Sequence, residues 1–118
     1  MKPDKRFIWA TLVLDLKPDE QVLEIGCGAG ILAELIAHKL TTGKITAIDQ
    51  SVPMITLASK RNQASLATGK VIFKIGNFSK IHLPQAAFDK VVACNVNFFL
   101  ERSGKITFAH PKLPEAWR

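Results

Sequence analysis

Gln21-Val22-Leu23-Glu24-Ile25-Gly26-Cys27-Gly28-Ala29-Gly30-Ile31 is an apolar run that stops on three alternating glycines. Val22, Leu23 and Ile25 make a short buried strand. Glycines permit positive φ and leave no Cβ between the backbone and anything placed above it. The residues that follow are apolar at Ile31, Leu32, Leu35, Ile36 and Leu40, a helical spacing. The stretch therefore reads as strand, loop and helix, with the first free N–H groups of the helix turned toward the loop. A glycine triplet taken alone is weak evidence, and its other reading is a tight strand-to-helix turn that holds no ligand.

The pattern repeats downstream. Thr41-Thr42-Gly43 stops the helix, and Lys44-Ile45-Thr46-Ala47-Ile48-Asp49 is a β-branched second strand. Ser51 caps a helix with Pro53 in its first turn, running to about Leu66. Its expected inner side is Met54, Ile55, Leu57 and Ala58. Residues 70–75 form a third strand that ends on Gly76-Asn77-Phe78, and residues 88–94 form a fourth. Upstream, residues 4–16 give a helix with Phe7, Ile8, Thr11, Leu12, Leu14 and Leu16 as its stripe. Such alternation implies an α/β fold with a parallel sheet covered on both faces. Right-handed crossovers give the strand order 3-2-1-4, with the ligand site at the carboxyl ends where the order reverses.

The glycine spacing narrows the ligand. A dinucleotide fingerprint is G-x-G-x-x-G, whereas here the third glycine comes one residue early and Ile31 stands in its place. No Gly-Lys-Ser/Thr phosphate loop is present. Val22 to Gly30 resembles the first motif of the class I S-adenosylmethionine-dependent methyltransferases, which have a three-layer Rossmann-like fold. The resemblance implies that S-adenosyl-L-methionine is the cofactor and that Gly26, Cys27, Gly28 and Gly30 cradle it. It implies that Glu24 orients the loop and lies near the ligand's amino group. Asp49 matches the acid that binds both ribose hydroxyls, a job suited to a carboxylate's paired acceptors; its other reading is a helix cap. Gln50 and Met54 fall in the stretch that packs on adenine. Asn77 and Phe78 match the adenine-recognising position after the third strand; Asn77 replaces the usual acid but keeps an acceptor oxygen. Asn95, after the fourth-strand motif, is implied near the methionine end. These matches span residues 15–99.

Bulk properties set the frame. The chain has 118 residues, which suits one domain. Lys and Arg exceed Asp and Glu by 16 − 10 = 6, but the basic residues are scattered and there is no Tyr, so a nucleic-acid partner is not expected. Two cysteines without a CxxC pair and three scattered histidines support neither a disulfide scaffold nor a metal site. With no apolar run long enough for a membrane, a cytoplasmic location is expected.

The resemblance also shows what is missing. Its members carry three more strands, yet only residues 95–118 remain, with 100–118 as a tail. The chain reads as a truncated member with a possible small-molecule acceptor and no evident catalytic base. The alternative is an inactive cofactor-binding or partner-dependent subunit. Residues 105–108 are either a fifth strand or part of an extended arm; a parallel return there would need a crossover of about a dozen residues. A bare fourth strand would be an apolar sheet edge. Its candidate coverings are the chain's own tail, a second copy or another partner, and the expectation is a homo-oligomer through this edge or a swapped tail.

Overall fold

The computed structural model describes residues 5–77, 87–94 and 106–109. Helix α1 (Lys5–Leu14) precedes strand β1 (Gln21–Ile25), helix α2 (Ile31–Lys39) and strand β2 (Lys44–Asp49). Helices α3 (Val52–Arg61) and α4 (Gln63–Thr68) lead to β3 (Val71–Ile75), β4 (Lys90–Cys94) and β5 (Ile106–Ala109). The sheet order is β3-β2-β1-β4-β5. The first four strands are parallel, in the expected 3-2-1-4 order, with Glu24 beside Ala47 on β2 and Val92 on β4.

β5 pairs with β4 in the antiparallel sense, Val92 opposite Phe108. An antiparallel return needs no helical crossover, which removes the length objection to a fifth strand. The edge of β4 is thus covered by the chain itself.

The core joins the helices to alternate strand residues. Ala10 and Leu14 of α1, Leu32 and Ile36 of α2, and Ile55 of α3 form one cluster with Val22, Ile45, Ala47, Val71 and Val92. Leu23, Ile25, Ile48 and Val91, which point to the other face, are buried as well. Burial on both faces is why these strands read as continuous apolar runs.

Three local expectations change. The inner face of α1 is Phe7, Ala10, Thr11 and Leu14, an i, i+3, i+4, i+7 set, while Ile8 and Leu12 are exposed. In α3, Ile55 and Ala58 are buried but Leu57 is exposed. The helix expected to reach Leu66 breaks at Asn62, whose backbone turns to φ −109° and ψ 29°. Its buried side-chain amide donates to the carbonyls of Gly30 (3.2 Å) and Ala58 (2.9 Å). Asparagine competes with helical backbone bonding in this way.

Lys90 is the main buried cation. Its ammonium donates to the carbonyls of Leu14 and Asp15 at the carboxyl end of α1 and pairs with Glu20 at 2.9 Å. Three donors meet three acceptors, and a cation at a helix C-terminus is favourable. Lys90→Met should destabilise the domain by about 2 kcal/mol, because two carbonyls lose this donor and the Glu20 carboxylate, which keeps the Lys17 N–H, loses its cation. Urea unfolding of both proteins measures this; an unchanged midpoint would contradict the assignment.

Candidate functional site

The site lies where the sheet order reverses. β1 and β4 are neighbours although the chain visits β2 and β3 between them. The loop leaving β1 takes Gly26 to φ 75°, Gly28 to φ 53° and Gly30 to φ 83°. It is laced to the end of β2: the N–H groups of Gly26 and Cys27 donate to the Ile48 carbonyl at 2.8 and 3.0 Å.

Asp49 completes the lacing. One carboxylate oxygen accepts from the Gly28 N–H at 2.8 Å, and the other from the Ser51 N–H at 2.9 Å. The carboxylate therefore locks the glycine loop to the start of α3. It does not cap that helix: the Ser51 hydroxyl does so, accepting from the Met54 N–H at 3.2 Å. A carboxylate has about four acceptor positions, so capacity for a ligand hydroxyl remains after both bonds.

The glycines divide their work. A Cβ added at Gly28 would meet nothing within 4 Å, so this residue borders open space. A Cβ at Gly30 would lie 2.8 Å from the Ala58 Cβ and 2.9 Å from the Asn62 amide nitrogen. Gly30 thus serves the contact between α2 and α3, while Gly28 leaves the cradle clear. Asn62, absent from the sequence reading of the site, holds this corner through the Gly30 carbonyl. A polar residue inside an amphipathic helix was its only signal.

The remaining residues fall at the same end of the sheet. Gln50 is exposed and Met54 half-buried, both next to the Asp49 turn. Asn77, half-buried, follows β3, and Gly76 ties that end to β2 by donating to the Asp49 carbonyl at 3.0 Å. Phe78 and Asn95 lie outside the described residues. Among the described residues no group of three or more His, Cys, Asp or Glu is arranged for a metal, and no helix is long and apolar enough to cross a membrane.

Two buried titratable groups belong to the loop and the strand that leads into it. Cys27 is buried, and burial together with the Glu24 and Asp49 carboxylates raises its thiol pKa. Such a thiol is a packing group, not a nucleophile. Glu24 is 1% exposed, and its Oε1 has no hydrogen-bond partner. Burial, with the Asp49 charge second, pushes its carboxyl up to about 8 from an ordinary 4.5. An acid more readily protonated in the fold stabilises it fully below its ordinary pKa, and that contribution is lost as pH rises. The ligand-free domain should weaken between about pH 4.5 and about pH 8, and Glu24→Gln should flatten that decline. Denaturation midpoints of both proteins across this window provide the check; parallel declines would be the contrary result.

A sequence profile of the methyltransferase domain matches residues 22–109, most of the chain and all of the cradle. The chain belongs to this methyltransferase family. Protein-L-isoaspartate O-methyltransferase 1 of Archaeoglobus fulgidus is 32% identical over 79 residues, covering 67% of this chain and 37% of that protein. Malonyl-[acyl-carrier protein] O-methyltransferase of Priestia megaterium is 43% identical over 53 residues, 42% of this chain and 19% of that protein. This chain therefore spans less than half the length of these curated relatives. A methyltransferase from Thiobacillus denitrificans, solved with S-adenosyl-L-homocysteine, shares the fold with a TM-score of 0.66 at 21% identity, covering 81% of this chain and 38% of that one.

Proposed function

We propose that this domain binds S-adenosylmethionine as the cofactor half of a methyltransferase whose acceptor is not identified by these residues. The observation that carries the reading is the open space over Gly28, bounded by the Asp49 carboxylate that fixes the loop. A cradle that a Cβ would fill, with polar acceptors at its rim, fits a nucleoside carrying an amino-acid chain. Asp49 would meet the ribose, Met54 and Asn77 the adenine, and Glu24 the amino-acid end. When bound, this cofactor supplies a methyl group activated by its sulfonium. The protein's part is to hold that group in line with an acceptor and keep the geometry fixed.

Acceptor choice belongs elsewhere. The two curated relatives are named for unlike acceptors, a protein isoaspartate and a malonyl group on a carrier protein, yet both align with this chain. What such proteins hold in common is the cofactor end. Titration calorimetry with S-adenosylmethionine and S-adenosylhomocysteine tests binding, and absence of heat with both would sink the reading. Transfer of labelled methyl to a mixed acceptor pool then separates an enzyme from a cofactor-binding subunit. We extend the proposal to self-association through the outer edge of β5, the unpaired edge beyond β4 among the described strands. A concentration-independent monomer mass by light scattering would remove that part.

A further inference from the structure

Among the described residues, Glu24 is the one buried polar side chain of the cradle that the fold leaves incompletely satisfied. Asp49 also carries a carboxyl group there, but both its oxygens accept backbone N–H bonds. Glu24 Oε1 accepts none, and the residue is the penultimate one of β1, just before the glycine loop. Its strand neighbours, Ala47 and Val92, offer no hydrogen-bonding side chain. The helices on this face contribute Ala10, Leu14, Leu32 and Ile36 to the core. The charged residues of α1, α2 and α3 with described side chains, Lys5, His38, Lys39 and Lys60, are exposed, Glu34 pairs with Arg61 at 3.5 Å, and Lys90 of β4 is engaged by the Leu14 and Asp15 carbonyls and Glu20. Among the described residues the charged group acting on Glu24 is thus the Asp49 carboxylate, which brings no positive charge.

A buried carboxylate without a cation or donor is costly, and the group neutralises instead. The same group becomes a strong acceptor once a cation is placed against it. We propose that the cradle exchanges a proton for its ligand's cation: Glu24 is a carboxylic acid in the ligand-free domain and ionises when the ammonium of the cofactor's amino-acid end seats beside it. The proton passes to the buffer, and no covalent bond is made or broken. This inference rests on the cofactor reading above and adds a linkage that the reading does not require.

Calorimetry on the 118-residue chain with S-adenosylhomocysteine tests it, in two buffers of different ionisation enthalpy and between about pH 6 and about pH 7.5. Affinity should rise by up to about tenfold per pH unit, so roughly thirtyfold across the window, with close to one proton released per ligand. In Glu24→Gln, which keeps every histidine of the chain, affinity should be flat with pH and the heats should agree between buffers. Binding by the unaltered chain that is flat within about twofold, with buffer-independent heats, would overturn the exchange while leaving the cofactor reading standing. No heat at any pH would overturn both. If the variant fails to fold or bind, the two-buffer heats of the unaltered chain decide the matter alone.

Discussion

Asp49→Ala should lower affinity for S-adenosylhomocysteine by about a hundredfold or more and also loosen the loop that would carry it. The first effect removes the proposed ribose acceptor, where a charged hydrogen bond is worth about 1.5–3 kcal/mol. The second follows from the bonds already present: the Gly28 and Ser51 N–H groups would both lose their shared acceptor. The substitution should therefore cost stability as well as binding, roughly 1–2 kcal/mol after water replaces the lost partners. Sequence reasoning treats this aspartate only as a ligand group or a cap; the structure makes it the clasp between β2, the glycine loop and α3. Calorimetry and chemical denaturation of the same variant separate the two contributions. Full stability with lost binding would mean that the clasp is energetically idle.

The glycines should split cleanly. Gly30→Ala should destabilise the domain by about 4 kcal/mol, combining an unfavourable left-handed backbone with overpacking. The new methyl would fall 2.8 Å from the Ala58 Cβ and 2.9 Å from its Cα, and that backbone cannot yield without moving α3. Gly28→Ala meets no atom within 4 Å and should cost only about 1 kcal/mol, from its φ of 53°. Its methyl instead projects into the cradle, so binding should suffer while the fold survives. Thermal melts with and without S-adenosylhomocysteine check both. A Gly30→Ala protein as stable as the parent, or a Gly28→Ala protein with unchanged ligand stabilisation, would refute the division.

Much of this was legible in the residues. Apolar β-branched runs between helical stripes give a parallel sheet, and the order 3-2-1-4 follows from crossover handedness. Ser51 caps α3 as its chemistry requires. What escaped depends on partners distant in sequence. Residues 105–108 carry a strand signal, but their direction is set only by the strand they meet. Lys90 opens β4 and reads as a surface residue, because its burial is decided by α1 and Glu20. Asn62 looks tolerable within a helix until the fold brings the Gly30 carbonyl against its amide. The expected stripe of α1 has Phe7, Thr11 and Leu14 right but is drawn too wide, because Ile8 and Leu12 are as apolar as the residues that face inward, and it passes over the small Ala10. Of the site, the cradle and Asp49 were visible in the motif; the unsatisfied oxygen of Glu24 was not, since no sequence pattern reports an absent partner.

The grip of Lys90 on α1 joins atoms 76 and 75 positions apart along the chain. During synthesis the first helix emerges long before the residue that fastens its end. Until β4 is made and docks beside β1, the carbonyls of Leu14 and Asp15 have no ammonium to receive. α1 can pack on α2 early, but the bonds that fasten its carboxyl end form only once β4 has left the ribosome, a contact of high sequence separation.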